Sequence, residues 1–184
     1  MRVNLRQASI LEFDLVYNIL YENAIWIQSK GVFQWPLDWL DSIRPEIKAS
    51  IDSGLFYVIE LDRKLVATVE LRSNPEEIWK NDQAKALYIH KLAICRKYSD
   101  KGLGREILAL IKSKAKDNNI NYLRLDCVAH NHRLREYYES CEFELKGIVE
   151  TTEVNLALYE HQIQSQKDAV KDHNPPIKTG LKPS

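Results

Sequence analysis

Two glycines beside basic residues mark the part of this chain best suited to hold an anion. Gly102 and Gly104 lie between a strand-like run at residues 86–95 and a helix-like run at residues 103–117. The first N–H groups of a helix have no partner within it and the helix dipole is positive there, so an anion binds well where glycine leaves the approach open. Residues 101–105 therefore predict a phosphate site, although a glycine turn without a ligand would show the same short pattern.

Length and composition fit one globular domain. The chain has 184 residues, 45% of them hydrophobic and 28% charged, which is enough to bury a core. Lys plus Arg and Asp plus Glu both number 26, and this balance argues against nucleic acid or an anionic membrane as the main partner. Three cysteines without CxxC spacing indicate reduced thiols rather than disulfides or a metal site. Without a signal-like start or the roughly 20 apolar residues of a membrane span, we expect a cytoplasmic protein.

The spacing of apolar residues predicts strands that alternate with helices. A strand at residues 3–6 precedes an amphipathic helix that ends near Gly31, and an aromatic-rich helical insertion continues to residue 53. Further strands are predicted at residues 55–61, 65–71, 86–95, 122–128, 143–149 and 155–159, with a short helix at residues 134–140.

The order of these elements predicts the fold class. The helix at residues 103–117 connects two strands by a right-handed parallel crossover. We therefore expect an α/β (α+β) domain over residues 1–162, with a mixed and mostly antiparallel sheet of six to seven strands flanked by helices. Residues 163–184 are polar and lack apolar spacing, which predicts a flexible tail.

Two motifs in this order resemble those of the GNAT superfamily of acetyl-coenzyme A dependent N-acetyltransferases. The phosphate loop of that family reads Q/R-x-x-G-x-G/A, which Gly102 and Gly104 match while Ser99 replaces its first residue. The family's downstream motif reads N-x-x-A/L-x-x-x-Y-x-x-x-G-F, and Glu142 stands in place of its glycine. The residues that match this second motif are Asn131, Leu134, Tyr138 and Phe143. In element order the resemblance covers residues 2–160.

The resemblance implies a site for acetyl-coenzyme A between two parallel strands that splay apart. Pantetheine would lie between residues 86–95 and 122–128, bound by free backbone groups of the first strand, which need a partner in any folded state. A strand paired fully on both sides is the alternative. The residues expected to contact the coenzyme are Leu92, Ala93, Ile94, Lys97, Lys101, Gly102, Leu103, Gly104, Arg105, Asn131 and Tyr138.

The reaction of this family moves two protons, and two residues are expected to carry them. His90 is the candidate base because the ordinary pKa of histidine, about 6.5, suits proton uptake near neutral pH. Tyr138 is the candidate acid, since its hydroxyl can protonate a leaving thiolate. Glu70 and Asp126 are reserve bases, and Asp126 could instead pair with Arg124 on the same strand face. Packing without catalysis is the alternative for His90 and Tyr138.

The acceptor pocket of the family usually forms near the first helix and the insertion. Aromatic side chains there suit an apolar or aromatic amine, although each could simply pack on the core. Tyr88 shares a strand face with His90 and is expected to orient it or to line the pocket. The residues expected to contact the acceptor are Trp26, Trp35, Tyr88 and Glu70.

The resemblance therefore implies an N-acetyltransferase that moves acetyl directly to the primary amine of a small molecule. We expect a monomer or a homodimer, with no metal and with neither nucleic acid nor membrane as partner. A peptide or protein N-acetyltransferase and a non-catalytic acyl-coenzyme A sensor remain alternatives. A nucleotide-binding domain is a weaker one, because the chain lacks GxxxxGK[ST].

Overall fold

A seven-stranded mixed sheet runs through the residues that the computed structural model describes, which are 3–79, 84–99 and 101–163. Across the sheet the strands follow the order β1-β2-β3-β4-β5-β7-β6, and within it only β4 and β5 are parallel neighbours. The strands are β1 (Val3–Gln7), β2 (Phe56–Leu61), β3 (Lys64–Arg72), β4 (Ala86–Ile94), β5 (Tyr122–Val128), β6 (Glu144–Glu150) and β7 (Asn155–Gln162). The predicted fold class is confirmed. The flexible tail predicted for residues 163–184 lies outside the described residues, apart from Ile163.

Helices cover both faces of the sheet. One layer packs around Val16, Leu20 and Ile47, and the other packs around Ile107 and Ile111, all of them at most 1% exposed. Burying each such side chain contributes about 1.5–3 kcal/mol. The first layer contains α1 (Phe13–Gln28), α2 (Leu37–Ser42) and α3 (Arg44–Asp52), and the second contains α4 (Leu103–Asp117) and α5 (His132–Glu139).

Strands β4 and β5 pair at one end and diverge at the other. The parallel register begins at Ala86 opposite Tyr122 and stops at Tyr88 opposite Arg124, although both strands continue beyond it. A bulge bends β4 just past that point: Lys91 has φ +47°, and three steps along β4 match two along β3. Bulges of this kind increase the bend and twist of a strand. The predicted splay is therefore present, and we call the space between the diverging strands the fork.

Candidate active site

The N-terminus of α4 lies next to the fork and has the two predicted glycines. Gly102 has φ +78°, a conformation that favours glycine, and a Cβ placed on it would meet no atom within 4 Å. Gly104 is needed for a different reason, because a Cβ there would overlap the hydroxyl of Tyr137. Leu103 is buried beneath the turn. The first N–H groups of α4 are therefore open to an anion.

The basic residues around this turn have unequal freedom. Lys97 and Lys101 are exposed, with their Nζ atoms 5.1 and 5.8 Å from the ring centre of Tyr98. Arg105 instead donates hydrogen bonds of 2.7 and 2.8 Å to the carbonyl and hydroxyl oxygens of Ser140, at the end of α5. The guanidinium of Arg105 is thus engaged in joining two helices, which does not fit the phosphate contact predicted for it.

Along the fork, the backbone of β4 pairs with β3 on one side and has no paired strand on the β5 side within the described ranges. Ala93 lies opposite Thr68, and Ile94 lies opposite Ala67. Leu92 precedes them at the bulge, half-buried against the α4 layer. The carbonyl of Ile94 does not match the prediction of a free group, since it accepts a 3.0 Å hydrogen bond from the side chain of Asn23 in α1.

Tyr138 lies in the core of the α5 layer, 8% exposed, with the rings of Phe143 and Tyr159 about 6 Å away. Burial raises the pKa of its hydroxyl, which has no hydrogen-bond partner among the described residues. Asn131 caps the start of α5, its side-chain oxygen accepting from the N–H of Leu134 at 3.2 Å. This cap fixes the start of the helix that carries Tyr138.

His90 and Asp126 face each other across the mouth of the fork. Each lies two residues beyond the last pair of β4 and β5, Tyr88 and Arg124, so both side chains point to the same face of the sheet. Glu76 reaches them from the loop after β3, with its Oε1 2.5 Å from Nε2 of His90. The ligand-type atoms of Glu76, His90 and Asp126 all lie within 4.8 Å of one another. We call these three residues the fork cluster.

Asp126 is the unusual member of the fork cluster. Burial raises its pKa, the charge of Glu76 adds to that effect, and His90 opposes it. Within the described parts of the chain its carboxylate has no hydrogen bond or ion pair. The alternative partner considered from the sequence, Arg124, binds Glu160 on β7 instead, at 2.8 Å. Asp126 is therefore a half-buried carboxylate that forms no ion pair with a described residue, although the charges of His90 and Lys91 act on it.

These features together fit a site for a long cofactor with a phosphate group, and comparison with known proteins identifies the family. The model of the acetyltransferase (GNAT) family matches residues 16–143, more than half of the chain. The chain belongs to the GNAT acetyltransferase family. It is therefore an acetyltransferase whose co-substrate is acetyl-coenzyme A, as the resemblance implies.

Individual relatives agree with the GNAT assignment. The uncharacterized N-acetyltransferase YesJ of Bacillus subtilis (strain 168) is 28% identical over 139 residues, which cover 73% of this chain and 77% of YesJ. A GNAT acetyltransferase structure from Streptococcus agalactiae 2603 has a TM-score of 0.77 at 21% identity, covering 89% of this chain and 96% of that one. The PaiA N-acetyltransferase of Thermoplasma acidophilum, solved with coenzyme A, has a TM-score of 0.67 at 18% identity, covering 88% and 99%. At these identities the two structures show the fold.

The expected acceptor residues of this GNAT protein do not all reach the fork. Glu70 is fully buried and forms 2.7 Å ion pairs with Lys91 and Arg72. Burial alone would raise the pKa of Glu70, but these two cations lower it overall. Glu70 is thus held in ion pairs inside the sheet. This arrangement suits neither the acceptor contact nor the reserve-base role predicted for it.

Tyr88 is also held by contacts inside the fold. It is 2% exposed, its hydroxyl accepts from Arg124 at 3.3 Å, and its ring meets the edge of Trp79. Tyr88 does share a face with His90, but its hydroxyl binds Arg124 rather than orienting the histidine. This packing therefore does not suit a residue that lines the acceptor pocket.

The two predicted tryptophans lie in different surroundings. The guanidinium of Arg96, just after β4, lies 3.6 Å from the ring centre of Trp26, a stacking distance. Arg96 follows His90 by six residues of largely extended chain, on the order of 15–20 Å, so Trp26 belongs to the phosphate end of the fork and not to the acceptor end. Trp35 is half-buried and packs on the α1–α3 layer.

Three contacts at the site escaped the sequence analysis. Glu76 lies in a polar loop without periodic spacing, so no pattern indicated its place beside His90. Asn23 is a polar residue on the buried face of α1, which was the one signal of its bond to β4. The side-chain oxygen of Gln34 in the insertion accepts from the N–H of Val128 at 3.1 Å. The insertion is thereby attached to the end of β5.

The described residues include no helix long and apolar enough to cross a membrane.

Proposed function

We propose that this GNAT enzyme transfers acetyl from acetyl-coenzyme A directly to the primary amine of a small molecule. The observation that carries the proposal is the fork, where β4 and β5 part just before His90 and Asp126. The open N-terminus of α4 lies at one end of this space and the fork cluster at the other. Such an arrangement suits an extended cofactor held by its phosphates, with its reactive end beside groups that accept protons.

The residues present fit the coenzyme in three ways. Gly102 leaves the α4 N-terminus open, β4 has no neighbouring strand on the β5 side beyond Tyr88, and the hydroxyl of Tyr138 lacks a partner among the described residues. Lys97 and Lys101 are exposed beside the same turn and supply positive charge for phosphate groups. Acetyl-coenzyme A, when bound, supplies the thioester that reacts with the amine.

His90 is the proposed base. Nε2 of His90 lies 2.5 Å from Oε1 of Glu76 without hydrogen-bond geometry, and a neutral imidazole ring keeps one nitrogen lone pair that can accept a proton. An alkyl ammonium with a pKa of about 10.4 must lose a proton before it can attack. His90 takes that proton, directly or through a water molecule.

Tyr138 is the proposed donor to the departing sulfur. Because burial raises the pKa of its hydroxyl, the hydroxyl keeps its proton at neutral pH and can always donate a hydrogen bond. The hydrogen bond stabilises negative charge as it develops on sulfur, and the proton follows to yield the thiol. No described cysteine is needed as an acyl carrier, and Cys127 and Cys141 are buried.

The test combines binding with turnover. Calorimetry with coenzyme A should give a single site, and a free-thiol assay with acetyl-coenzyme A and a panel of primary amines should show thiol release that depends on the amine. Mass spectrometry should find the acetyl group on the amine nitrogen. Coenzyme binding without thiol release on any amine or peptide would favour the sensor instead, and release on peptides alone would favour a protein acceptor.

Gly104→Val tests the coenzyme end of the fork. A Cβ at Gly104 already overlaps the Tyr137 hydroxyl, so valine must displace the Tyr137 side chain or shift the turn that carries it. We expect coenzyme affinity to fall at least ~100-fold, since the N–H groups of the turn lose their alignment. Ala109→Val, on the exposed face of the same helix, is the control and should bind normally. Normal binding by Gly104→Val would contradict the phosphate site.

A further inference from the structure

The two carboxylates of the sheet near His90 differ in their counter-charges. Glu70 is neutralised by Lys91 and Arg72, each 2.7 Å away. Asp126 lies on the same face of the sheet, in the next strand but one, and has no hydrogen bond or ion pair with a residue in the described ranges. Only the second carboxylate is available to a ligand.

Cations near the fork cannot neutralise Asp126 without leaving another partner. Three cations on the adjoining strands β3, β4 and β5 already form ion pairs of 2.7 to 2.8 Å within the described parts of the chain. Lys91 and Arg72 bind Glu70, and Arg124 binds Glu160. The fork cluster therefore holds two carboxylates and one imidazole, with an excess of negative charge even when His90 is protonated.

A charged carboxylate that is partly removed from water and forms no ion pair is unfavourable, and part of the cost is recovered when a cation approaches it. Asp126 stands across the mouth of the fork from His90, within 4.8 Å between their polar atoms. An amine that reaches His90 arrives mostly as an ammonium ion at neutral pH. The group that complements Asp126 is therefore the group that His90 must deprotonate.

We propose that Asp126 binds the ammonium group of the acceptor and that it restricts the acceptor to amines without an acidic group beside the nitrogen. The inference rests on the proposed function and names the substrate class of the same site. Asp126 contributes charge and a hydrogen-bond acceptor, and no bond forms or breaks at it. The ammonium first gives one proton to His90, and the neutral amine that remains then attacks the thioester.

The same charge excludes acceptors that carry a carboxylate next to the amine. In an α-amino acid the carboxylate is bonded directly to the carbon that bears the nitrogen, so it would enter the fork beside Glu76 and Asp126. Like charges at such short range in a partly buried site repel strongly. Tryptamine and phenethylamine should therefore be accepted where tryptophan and phenylalanine are rejected.

The experiment measures amine binding rather than turnover. Isothermal titration with saturating coenzyme A compares each amine with its α-carboxylate counterpart: tryptamine with tryptophan, and phenethylamine with phenylalanine. The proteins are the wild type, Asp126→Asn, Asp126→Glu and Asp117→Asn. Asp117 ends α4 and is exposed, which makes it a matched control for loss of one aspartate charge.

We expect the wild type to bind at least one amine and to bind its carboxylate counterpart at least ~10-fold more weakly. Asp126→Asn should weaken amine binding about 10- to 100-fold, the worth of one charge-assisted hydrogen bond, while Asp126→Glu and Asp117→Asn retain the preference. Unchanged amine affinity in Asp126→Asn would overturn the proposal. Equal affinity of the wild type for both members of each pair, or no binding of any amine, would overturn it too.

Two further results distinguish the ammonium site from the proposed function and from a metal site. Amine binding that depends on Asp126, without acetyl transfer, would uphold the ammonium site and reject the proposed function; acetyl transfer with a fully active Asp126→Asn would do the reverse. Titration of EDTA-treated protein with Zn²⁺ or Mn²⁺ tests the fork cluster as a metal site. Tight binding that requires Asp126 and blocks the amine would assign the carboxylate to a metal ion and overturn the proposal.

Discussion

A cluster of charged side chains lies on each side of strand β4, and the two clusters differ in how far they are enclosed. Toward β3, where the strands are paired, Glu70 is enclosed by Lys91 and Arg72 and is fully buried. Toward β5, where the strands diverge, His90 and Asp126 face an open fork. Each side has a carboxylate on the same face of the sheet, but only the paired side has a lysine and an arginine bound to it. Strand pairing encloses the first cluster inside the sheet. The divergence of β4 and β5 leaves the second cluster accessible to a ligand.

Among changes to the two clusters, replacement of His90 should have the largest effect, and that effect should be on turnover. His90→Ala removes the proposed base, so we expect kcat to fall about 10²- to 10⁴-fold near neutral pH. The loss should shrink as the pH approaches about 10, where the amine deprotonates by itself. Initial rates from pH 6 to 10 measure it, with His132→Ala, an exposed residue of α5, as the control. A loss that is the same at every pH would leave His90 without the role of base.

Glu70→Gln should instead damage stability. It leaves Lys91 and Arg72 without their shared partner, and breaking a buried ion pair costs about 3–5 kcal/mol. Because the pKa of Glu70 is lowered in the folded protein, its contribution is present above the pKa of an unfolded glutamate, about 4.3, and is lost as the pH falls further. Urea unfolding at pH 7 should therefore separate the variant from the wild type more than unfolding at pH 4. Glu77→Gln, on the exposed loop, is the control.

Tyr138→Phe should affect turnover and spare binding. The hydroxyl has no partner among the described residues, so its removal should leave the melting temperature nearly unchanged. We expect kcat to fall about 10- to 100-fold, as for loss of a donor to a charged transition state, with unchanged affinity for coenzyme A by calorimetry. Tyr57→Phe on β2 is the matched control. Equal turnover by both variants would remove Tyr138 from the reaction.

Glu76→Gln should give the smallest effect. Glu76 acts through His90, whose Nε2 it contacts, and glutamine can still accept a hydrogen bond while lacking the charge. We expect kcat to fall about 3- to 10-fold with little change in KM for the amine. Glu77→Gln beside it should have no effect. A change in KM alone would show that Glu76 binds the acceptor rather than positioning the histidine.

The elements of this fold could be predicted because each leaves a local pattern. Helix α4 and strand β5 have the predicted limits, since Asn118 and Asn119 interrupt the apolar spacing between them. The glycine turn was predicted for a similar reason, because its site is built from backbone N–H groups and needs only Gly102 and Gly104 in sequence.

The fork cluster could be predicted only in part. His90 and Asp126 were predicted separately, as the candidate base and a reserve base, but their approach depends on where β4 and β5 stop pairing. Glu76 comes from an irregular loop, where no periodicity fixes the direction of a side chain. Three of the predicted site residues have partners distant in sequence that no local pattern indicates: Glu70 with Lys91, Arg105 with Ser140 and Tyr88 with Arg124.

The bond from Gln34 to the N–H of Val128 makes the two walls of the fork unequal. A chain lying in the fork finds that N–H at the end of β5 already bonded, so a ligand amide at that level must form its backbone hydrogen bonds on β4. The same bond masks part of a strand edge to which another molecule could add. Loss of the Gln34 side chain would therefore widen the choice of ligands and invite self-association.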